Sequence, residues 1–332
     1  MSEFHKGVLT INPANEVERI SQVIKETVYN NLNRQGAVVA TSGGIDSSVT
    51  VALAVKALGK DRVLALCLPE RDSSTASMHL AQEVIDYLGV PSIAENIGPV
   101  LEAFGCYERR DAAVRRIFPE YTSEYKLKIT LPQNLVETGR INIYYLTIQS
   151  PEGEQKKRRL PPVELLEIIA ATNHKQRTRK QYEFYHADRL NYAVLGTPNR
   201  LEYDQGFFVK GGDGLADMKP IAHLYKTQVY MLATYLGLPE EVLKQKPTTD
   251  TYSLDQTQEE FYFSFPFEEM DMLLWAHNHH VTASEVVSVL GYTTAQIERV
   301  YTDIQKKRRT TAYLHKQSLL TEPIPEIQPY IQ

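Results

Sequence analysis

The residues best placed to do chemistry stand in one short run, Ser42-Gly-Gly-Ile-Asp-Ser-Ser48, between an apolar stretch and a helical one. Two consecutive glycines, Gly43 and Gly44, let a backbone approach an anion with no Cβ in the way, and the hydroxyls of Ser42, Ser47 and Ser48 add donors. A turn that hands a strand over to a helix also gathers free backbone N–H groups at the positive end of the helix dipole, so phosphate is its natural guest. The run lacks the lysine of a GxxxxGK[ST] loop and the third glycine of a dinucleotide fingerprint, and neither of those readings fits. Asp46 is the informative residue. A carboxylate inside a phosphate cradle repels its guest unless a divalent cation lies between them, which points to Mg²⁺. On these seven residues alone, an aspartate that merely caps the helix is an open alternative.

The flanking sequence says what holds such a turn. Val17, Ile20, Ile24, Val28 and Leu32 recur at spacings of three and four and predict a helix over residues 15–33. Residues 36–41 read as a short buried strand, 49–58 as a helix, 62–68 as a second apolar strand, and 77–88 as an amphipathic helix stopped by Gly89. This alternation predicts an α/β fold with a doubly wound parallel sheet and flanking helices. From 104 to 162 the pattern changes. Residues 126–131 and 142–148 alternate apolar with polar around a connection bearing Gly139, as in an inserted β-hairpin, and the charge run 152–159 reads as a solvated turn. The main pattern resumes with a helix over 163–187, a strand over 191–196, a helix over 226–236 stopped by Gly237, and a helical stretch from 267 to 313. The end, 322–332, reads as an extended tail of a single domain spanning 1–332.

Bulk properties narrow the function class. A net charge of −5 argues against a general nucleic-acid or membrane-surface binder. No apolar run approaches the ~20 residues of a membrane span, and the first residues lack a signal-peptide core, so the expectation is a cytoplasmic protein. Cys67 and Cys106 are the only cysteines. They are too few for a disulfide framework and stand in no zinc or nucleophile spacing, which suits a reducing compartment.

The SGGxDS turn after a buried strand resembles the pyrophosphate loop of the N-type ATP pyrophosphatases, which include NAD, GMP and asparagine synthetases. Three further runs narrow the resemblance. Gly196-Thr-Pro-Asn-Arg-Leu-Glu202, Lys210-Gly-Gly-Asp-Gly-Leu-Ala-Asp-Met-Lys-Pro220 and Leu224-Tyr-Lys-Thr-Gln228 are similar, in order, to the GTxxxxE, KxGDGxxDxxP and LxKxQ patterns of ammonia-dependent NAD synthetases. The likeness runs from about Val8 to Leu101 and from about Ala170 to Tyr313.

That family resemblance implies an adenine nucleotide alpha hydrolase-like fold and a homodimer. It also implies ATP-dependent amidation of deamido-NAD by ammonia through an adenylated carboxylate, giving NAD, AMP and pyrophosphate. Carried onto this chain, ATP would meet Ser42, Gly43, Gly44, Asp46, Ser47, Ser48, Thr197, Lys226 and Thr248. Mg²⁺ would be held by Asp46 and Glu202, and Asp46 and Lys226 would serve catalysis. Deamido-NAD would touch Arg177, Lys210 and Asp217, with Lys306 and Lys307 standing where the family has a His-Lys stretch. The chain departs from the family at Pro247-Thr-Thr-Asp-Thr251, at Gln256-Thr-Gln-Glu259, at Lys306 and in the inserted hairpin. These departures cluster on the side expected to close over the carboxylate, and Gln258 stands where the family has an aspartate. A relative acting on another carboxylate is therefore the rival reading, and a binding protein that has lost catalysis is a second.

Overall fold

Asn12 starts the first helix by accepting the amide of Asn15, and Pro13 fills a first-turn position that needs no donor. The computed structural model describes residues 4–131, 144–245, 247–248, 251–263 and 265–330. Helix α1 (Pro13–Glu26) buries Val17, Ile20 and Ile24, then widens into a π-turn at Thr27–Asn31 that keeps Val28 inside. Strands β1 (Ala37–Ala40) and β2 (Val63–Cys67) follow, with α2 (Ile45–Leu58) between them. The helix predicted from residue 49 begins four residues earlier, so Asp46 and both following serines lie in its first turn. Helix α3 (Thr75–Leu88) ends at Gly89 in the left-handed conformation, as predicted, and β3 (Ser92–Ala94) completes the first half.

These strands pair in parallel in the order β3-β2-β1-β7, where β7 is Ala193–Val194. Val38 stands opposite both Leu64 and Val194. Alternate residues face opposite ways, yet both faces are buried: Ala37 and Val39 join the core with α1, α2 and α8 (Lys226–Tyr235), whereas Val38, Leu64 and Leu66 pack on the other side with Ile97, Leu101 and Ala187. Hence β1 and β2 read as unbroken apolar runs. The chain leaves β1 toward β2 on one side, and β7 pairs on the other. A crevice opens at the carboxyl ends of β1 and β7, the usual ligand position in open α/β sheets.

Between the halves lie α4 (Gly98–Ala103), α5 (Cys106–Arg115) and a second, antiparallel sheet of β4 (Lys126–Thr130), β5 (Tyr145–Gln149) and β6 (Gln155–Arg159). The predicted hairpin is present as β4 and β5; its connection with Gly139 lies outside the described residues. The charge run is a correction. Residues 155–159 are not a turn but an edge strand paired along its whole length with β5, and only residues 150–154 turn. Every residue of β6 is exposed, so the run lacks the apolar alternation that marks a strand, and its charges blunt a sheet edge. Leu127, Ile129, Leu146 and Ile148 bury the other face against Phe118 and Ile168.

Helix α6 (Pro162–Leu190) leads into β7, α7 (Arg200–Gln205) and α8, followed by α9 (Glu240–Lys244). The helical stretch after 267 divides into α10 (Phe267–Asn278), α11 (Ala283–Leu290) and α12 (Thr294–Thr311), which share a core with Leu201. The end is not wholly extended, because Pro325–Tyr330 forms turns of 3₁₀ helix. Among the described residues no helix is long and apolar enough to cross a membrane.

Candidate active site

The turn after β1 is built around Gly43, which sits at φ +80°. A Cβ there would stand 2.5 Å from the Ser77 carbonyl and 2.7 Å from the Ala81 nitrogen, so α3 packs directly on the turn. Ser47 and Ser48 both donate their hydroxyls to the Gly44 carbonyl at 2.9 Å, and the Ser42 amide donates to Ser47 Oγ at 3.3 Å. These bonds hold the turn open toward the crevice. Ser48 is fully buried and braces the turn from behind.

Four side chains from three elements converge beside this turn. Asn199 caps α7: its Oδ1 accepts the Glu202 amide at 3.1 Å, while its own amide donates to Glu202 Oε2 at 3.2 Å. The remaining Asn199 Nδ2 donates to Asp46 Oδ1 at 3.1 Å. Lys226, the first residue of α8 and 2% exposed, bonds its ammonium to Asp46 Oδ2. Burial first, and the Asp46 carboxylate second, raise Glu202 to about 7; Lys226 and Gln258 pull the other way. Burial alone would lower Lys226, yet Asp46 and Glu202 outweigh it and hold the ammonium charged. Two hard carboxylate oxygens sharing one cation suit a small divalent ion that keeps waters and phosphate oxygens around it. Among the described residues no cluster of three acidic, histidine or cysteine ligands occurs, so such an ion would complete its shell from ligand and solvent.

These groups face a cavity of about 430 Å³. Ser42, Gly43, Gly44, Asp46, Ser47, Thr197, Glu202, Lys226 and Thr248 all line it, so the sequence-predicted ATP and metal residues come together with the exception of Ser48. Lys246, Thr249 and Asp250 lie outside the described residues.

The residues expected to touch deamido-NAD are placed differently. Arg177 and Lys210 are exposed neighbours outside the cavity, the Arg177 Nε donating to the Lys210 carbonyl at 3.2 Å. Lys210 Nζ donates to the carbonyls of Tyr313 and Lys316 at 2.9 and 2.8 Å. Asp217 Oδ2 accepts the Val194 amide at 2.8 Å and so closes the end of β7. Lys306 is exposed, whereas Lys307 is buried, donates to the Tyr262 carbonyl at 2.8 Å and lies over that residue's ring.

The structure adds residues that the sequence left unmarked. Asn199 links the Asp46 and Glu202 carboxylates of two elements, and its Asn-x-x-Glu capping pattern is the signal that could have found it. Lys180 and Glu183 form a buried ion pair of 2.7 Å on the cavity wall, with burial raising the Glu183 carboxyl. A Lys and a Glu three apart on a helix give no sequence signal, since the same pattern decorates solvated faces. Both cysteines are free and buried; Cys67 lies within β2, and Cys106 donates to the Ala171 carbonyl at 3.1 Å. Burial raises both thiols, so neither is a poised nucleophile.

Known proteins resemble this chain in sequence and in fold. The sequence profile of a family described as NAD synthase matches residues 16–117 and 116–312. An NH(3)-dependent NAD(+) synthetase of Rhizobium meliloti (strain 1021) is 53% identical over 325 residues, covering 98% of this chain and 97% of its own. Among solved structures, NMN synthetase from Francisella tularensis has a TM-score of 0.64 at 23% identity, covering 94% of this chain and 99% of its own. NH3-dependent NAD synthetase from Campylobacter jejuni has a TM-score of 0.61 at 22% identity, covering 94% of this chain and all of its own. At such identities the two structures speak for the fold alone.

Proposed function

The chain belongs to the NAD synthase family, and on that premise we propose that it joins ammonia to the nicotinate carboxylate of deamido-NAD at the expense of ATP. The observation that carries this reading is the convergence of Asp46, Glu202 and Lys226 on the glycine turn at the crevice. The carboxylate oxygen of deamido-NAD would form a bond to the α-phosphorus of ATP as the bond to pyrophosphate breaks. The leaving pyrophosphate would be met by the amides and hydroxyls between Ser42 and Ser47, by Thr248 and by the Lys226 ammonium. Asp46 and Glu202 would hold Mg²⁺, whose chemistry when bound is neutralisation of polyphosphate charge. Asn199 would keep both carboxylates turned inward. Ammonia would then attack the acyl carbon of the adenylate and lose a proton, and AMP would leave with its oxygen pair. No protein nucleophile is needed, in keeping with two buried thiols. Catalysis on this reading is positioning and charge neutralisation.

Arg177, Lys210, Asp217, Lys306 and Lys307 are retained as the carboxylate-substrate set on family likeness, along with homodimerisation and a cytoplasmic location. Residues 104–162 are taken as an insertion into a single domain, supported by the separate core beneath the second sheet.

The fold neighbours include an NMN synthetase as well as an NAD synthetase, so fold alone does not choose the carboxylate. The relative at 53% identity favours deamido-NAD. Pyrophosphate release with ATP, magnesium and ammonium chloride tests this against deamido-NAD, nicotinate mononucleotide and aspartate. Release with deamido-NAD, accompanied by NAD, is expected. Release with another carboxylate and none with deamido-NAD would overturn the substrate assignment.

A further inference from the structure

Lys175, on α6, is 1% exposed and lies behind the cavity rather than in it. An ammonium has three donors, and three acceptors surround this one. Lys175 Nζ donates to Glu70 Oε1 at 2.9 Å, to Asp72 Oδ2 at 2.6 Å and to the Thr251 carbonyl at 2.8 Å. Glu70 and Asp72 belong to the connection between β2 and α3, and both side chains are buried. That connection is braced on its other side: Tyr107 donates its hydroxyl to Glu70 at 2.7 Å, and the buried Arg110 guanidinium donates to Asp72 at 2.5 Å. The acidic pair thus has cations and donors enough to be compensated from α5 and α6.

The third bond is of another kind. Thr251 belongs to the segment after α9, and with Thr248 and Tyr252 it forms one wall of the cavity. Pro69 and Ser73, on either side of Glu70 and Asp72, line the same cavity from the connection between β2 and α3, a second wall. One buried ammonium therefore ties the two walls together through side-chain acceptors on one and a main-chain acceptor on the other. Charge compensation explains the first two bonds and not the third.

We infer that Lys175 is a positioning residue that fixes the separation of the two nucleotide-facing walls, through the Thr251 carbonyl on one side and Glu70 and Asp72 on the other. The inference rests on the ATP-dependent reading above for its ligand, though not for its carboxylate substrate. Loss of the tether would leave Thr248 and Tyr252 free to move relative to Pro69 and Ser73, and ATP would meet a wider, less ordered site.

The test separates this role from simple burial of charge. Lys175→Met leaves two acidic groups undercompensated and is expected to lose both thermal stability and ATP affinity. Glu70→Gln with Lys175→Met removes one charge of each sign while the amide still accepts from Tyr107. This double variant should regain stability over Lys175→Met, yet bind ATP about tenfold more weakly than the unmodified protein in calorimetric titration. If ATP affinity returns along with stability, Lys175 serves the fold only and the inference falls. Should the double variant not fold, Lys175→Arg decides: it keeps the positive charge, but its donors lie in one plane on a larger group and do not reproduce the ammonium's tetrahedral directions toward the three oxygens. A similar weakening, with faster amide exchange over residues 251–258, is expected, and wild-type affinity and exchange would overturn the assignment. Turnover of deamido-NAD by the unmodified protein is measured in parallel. Its absence with ATP binding intact would refute the proposed substrate and leave the Lys175 result standing.

Discussion

Gln258 donates its Nε2 to Glu202 Oε1 at 2.8 Å, so a residue in the segment expected to close over the second substrate touches a carboxylate proposed to hold Mg²⁺. Its backbone is held by the Pro247 carbonyl at 3.1 Å, which brings the segment carrying Thr248 up to α7. An amide that donates to a carboxylate orients it and offsets some of its burial cost. The departure from the family's aspartate therefore bears on Glu202: a negative charge at this position would repel it.

Gln258→Ala should accordingly raise the magnesium concentration for half-maximal activity by about three- to tenfold, as loss of one charge-assisted hydrogen bond implies, while the Michaelis constant for deamido-NAD stays within about twofold. Magnesium titration at saturating ATP and deamido-NAD reads the first, and steady-state kinetics the second. A selective rise in the deamido-NAD constant would return Gln258 to the substrate side.

Asn199 bonds to both Asp46 and Glu202, and on the proposed reading the two carboxylates would share one Mg²⁺ and act as a unit. Asp46→Asn and Glu202→Gln should each lower adenylation by on the order of a hundredfold or more, and the double variant should lose far less than the product of the two. Pyrophosphate release gives the rates, and unchanged thermal midpoints would show the fold intact. Multiplicative losses would mean that the two carboxylates act on different groups.

The two glycines of the turn carry different burdens. Gly43 combines a left-handed backbone with contact against α3, whereas Gly44 has φ −72° and its Cβ would meet only Ser42 Oγ at 3.4 Å. Gly43→Ala should cost several kcal/mol of stability, about what a backbone clash and a positive φ together imply, and Gly44→Ala less than about 1 kcal/mol. Urea denaturation of both variants checks the contrast. Equal losses would show that packing on Ser77 and Ala81 does not set the turn.

How much of this was legible in sequence depends on whether a contact is local. The turn and its helix could be read because glycine pairs, hydroxyls and apolar periodicity lie within a dozen residues, and the parallel sheet because β1 and β2 are continuous apolar runs. Thr197, Glu202 and Lys226 could be placed at the crevice only through family likeness, since nothing local tells Glu202 from a surface carboxylate. Strand β6 was missed because an edge strand with no buried residue carries no alternation. Lys175 was missed for a deeper reason: its partners are 76 to 105 residues away, and a lysine on a helix reads as solvated until the fold closes over it.

Asp271 shows the same long-range logic in a pH-dependent form. It lies on α10, fully buried, and its Oδ2 accepts both the amide and the hydroxyl of Thr227 at 2.7 Å, in the first turn of the helix that begins with Lys226. Its other oxygen, Oδ1, has no hydrogen-bond partner. Burial dominates, and although the Thr227 donors pull downward, the carboxyl is raised to about 6. In the unfolded chain it would titrate near its ordinary value of 3.8. Between roughly pH 4 and 6 the folded state thus holds a proton that the unfolded state has released, and stability must fall as pH rises through that window. The favourable contribution is complete below about pH 4 and gone above about pH 6, a swing of roughly 3 kcal/mol for a shift of about two units. Asp271→Asn cannot ionise, so the stability difference between wild type and variant should change by about that amount across the window, to the disadvantage of wild type as pH rises. Urea denaturation of both proteins at pH 4, 5, 6 and 7 measures it, and the subtraction cancels groups common to both. A difference that stays flat, or that moves in favour of wild type with rising pH, would mean that Asp271 is already ionised in the fold and that the N-terminus of α8 holds it as an anion.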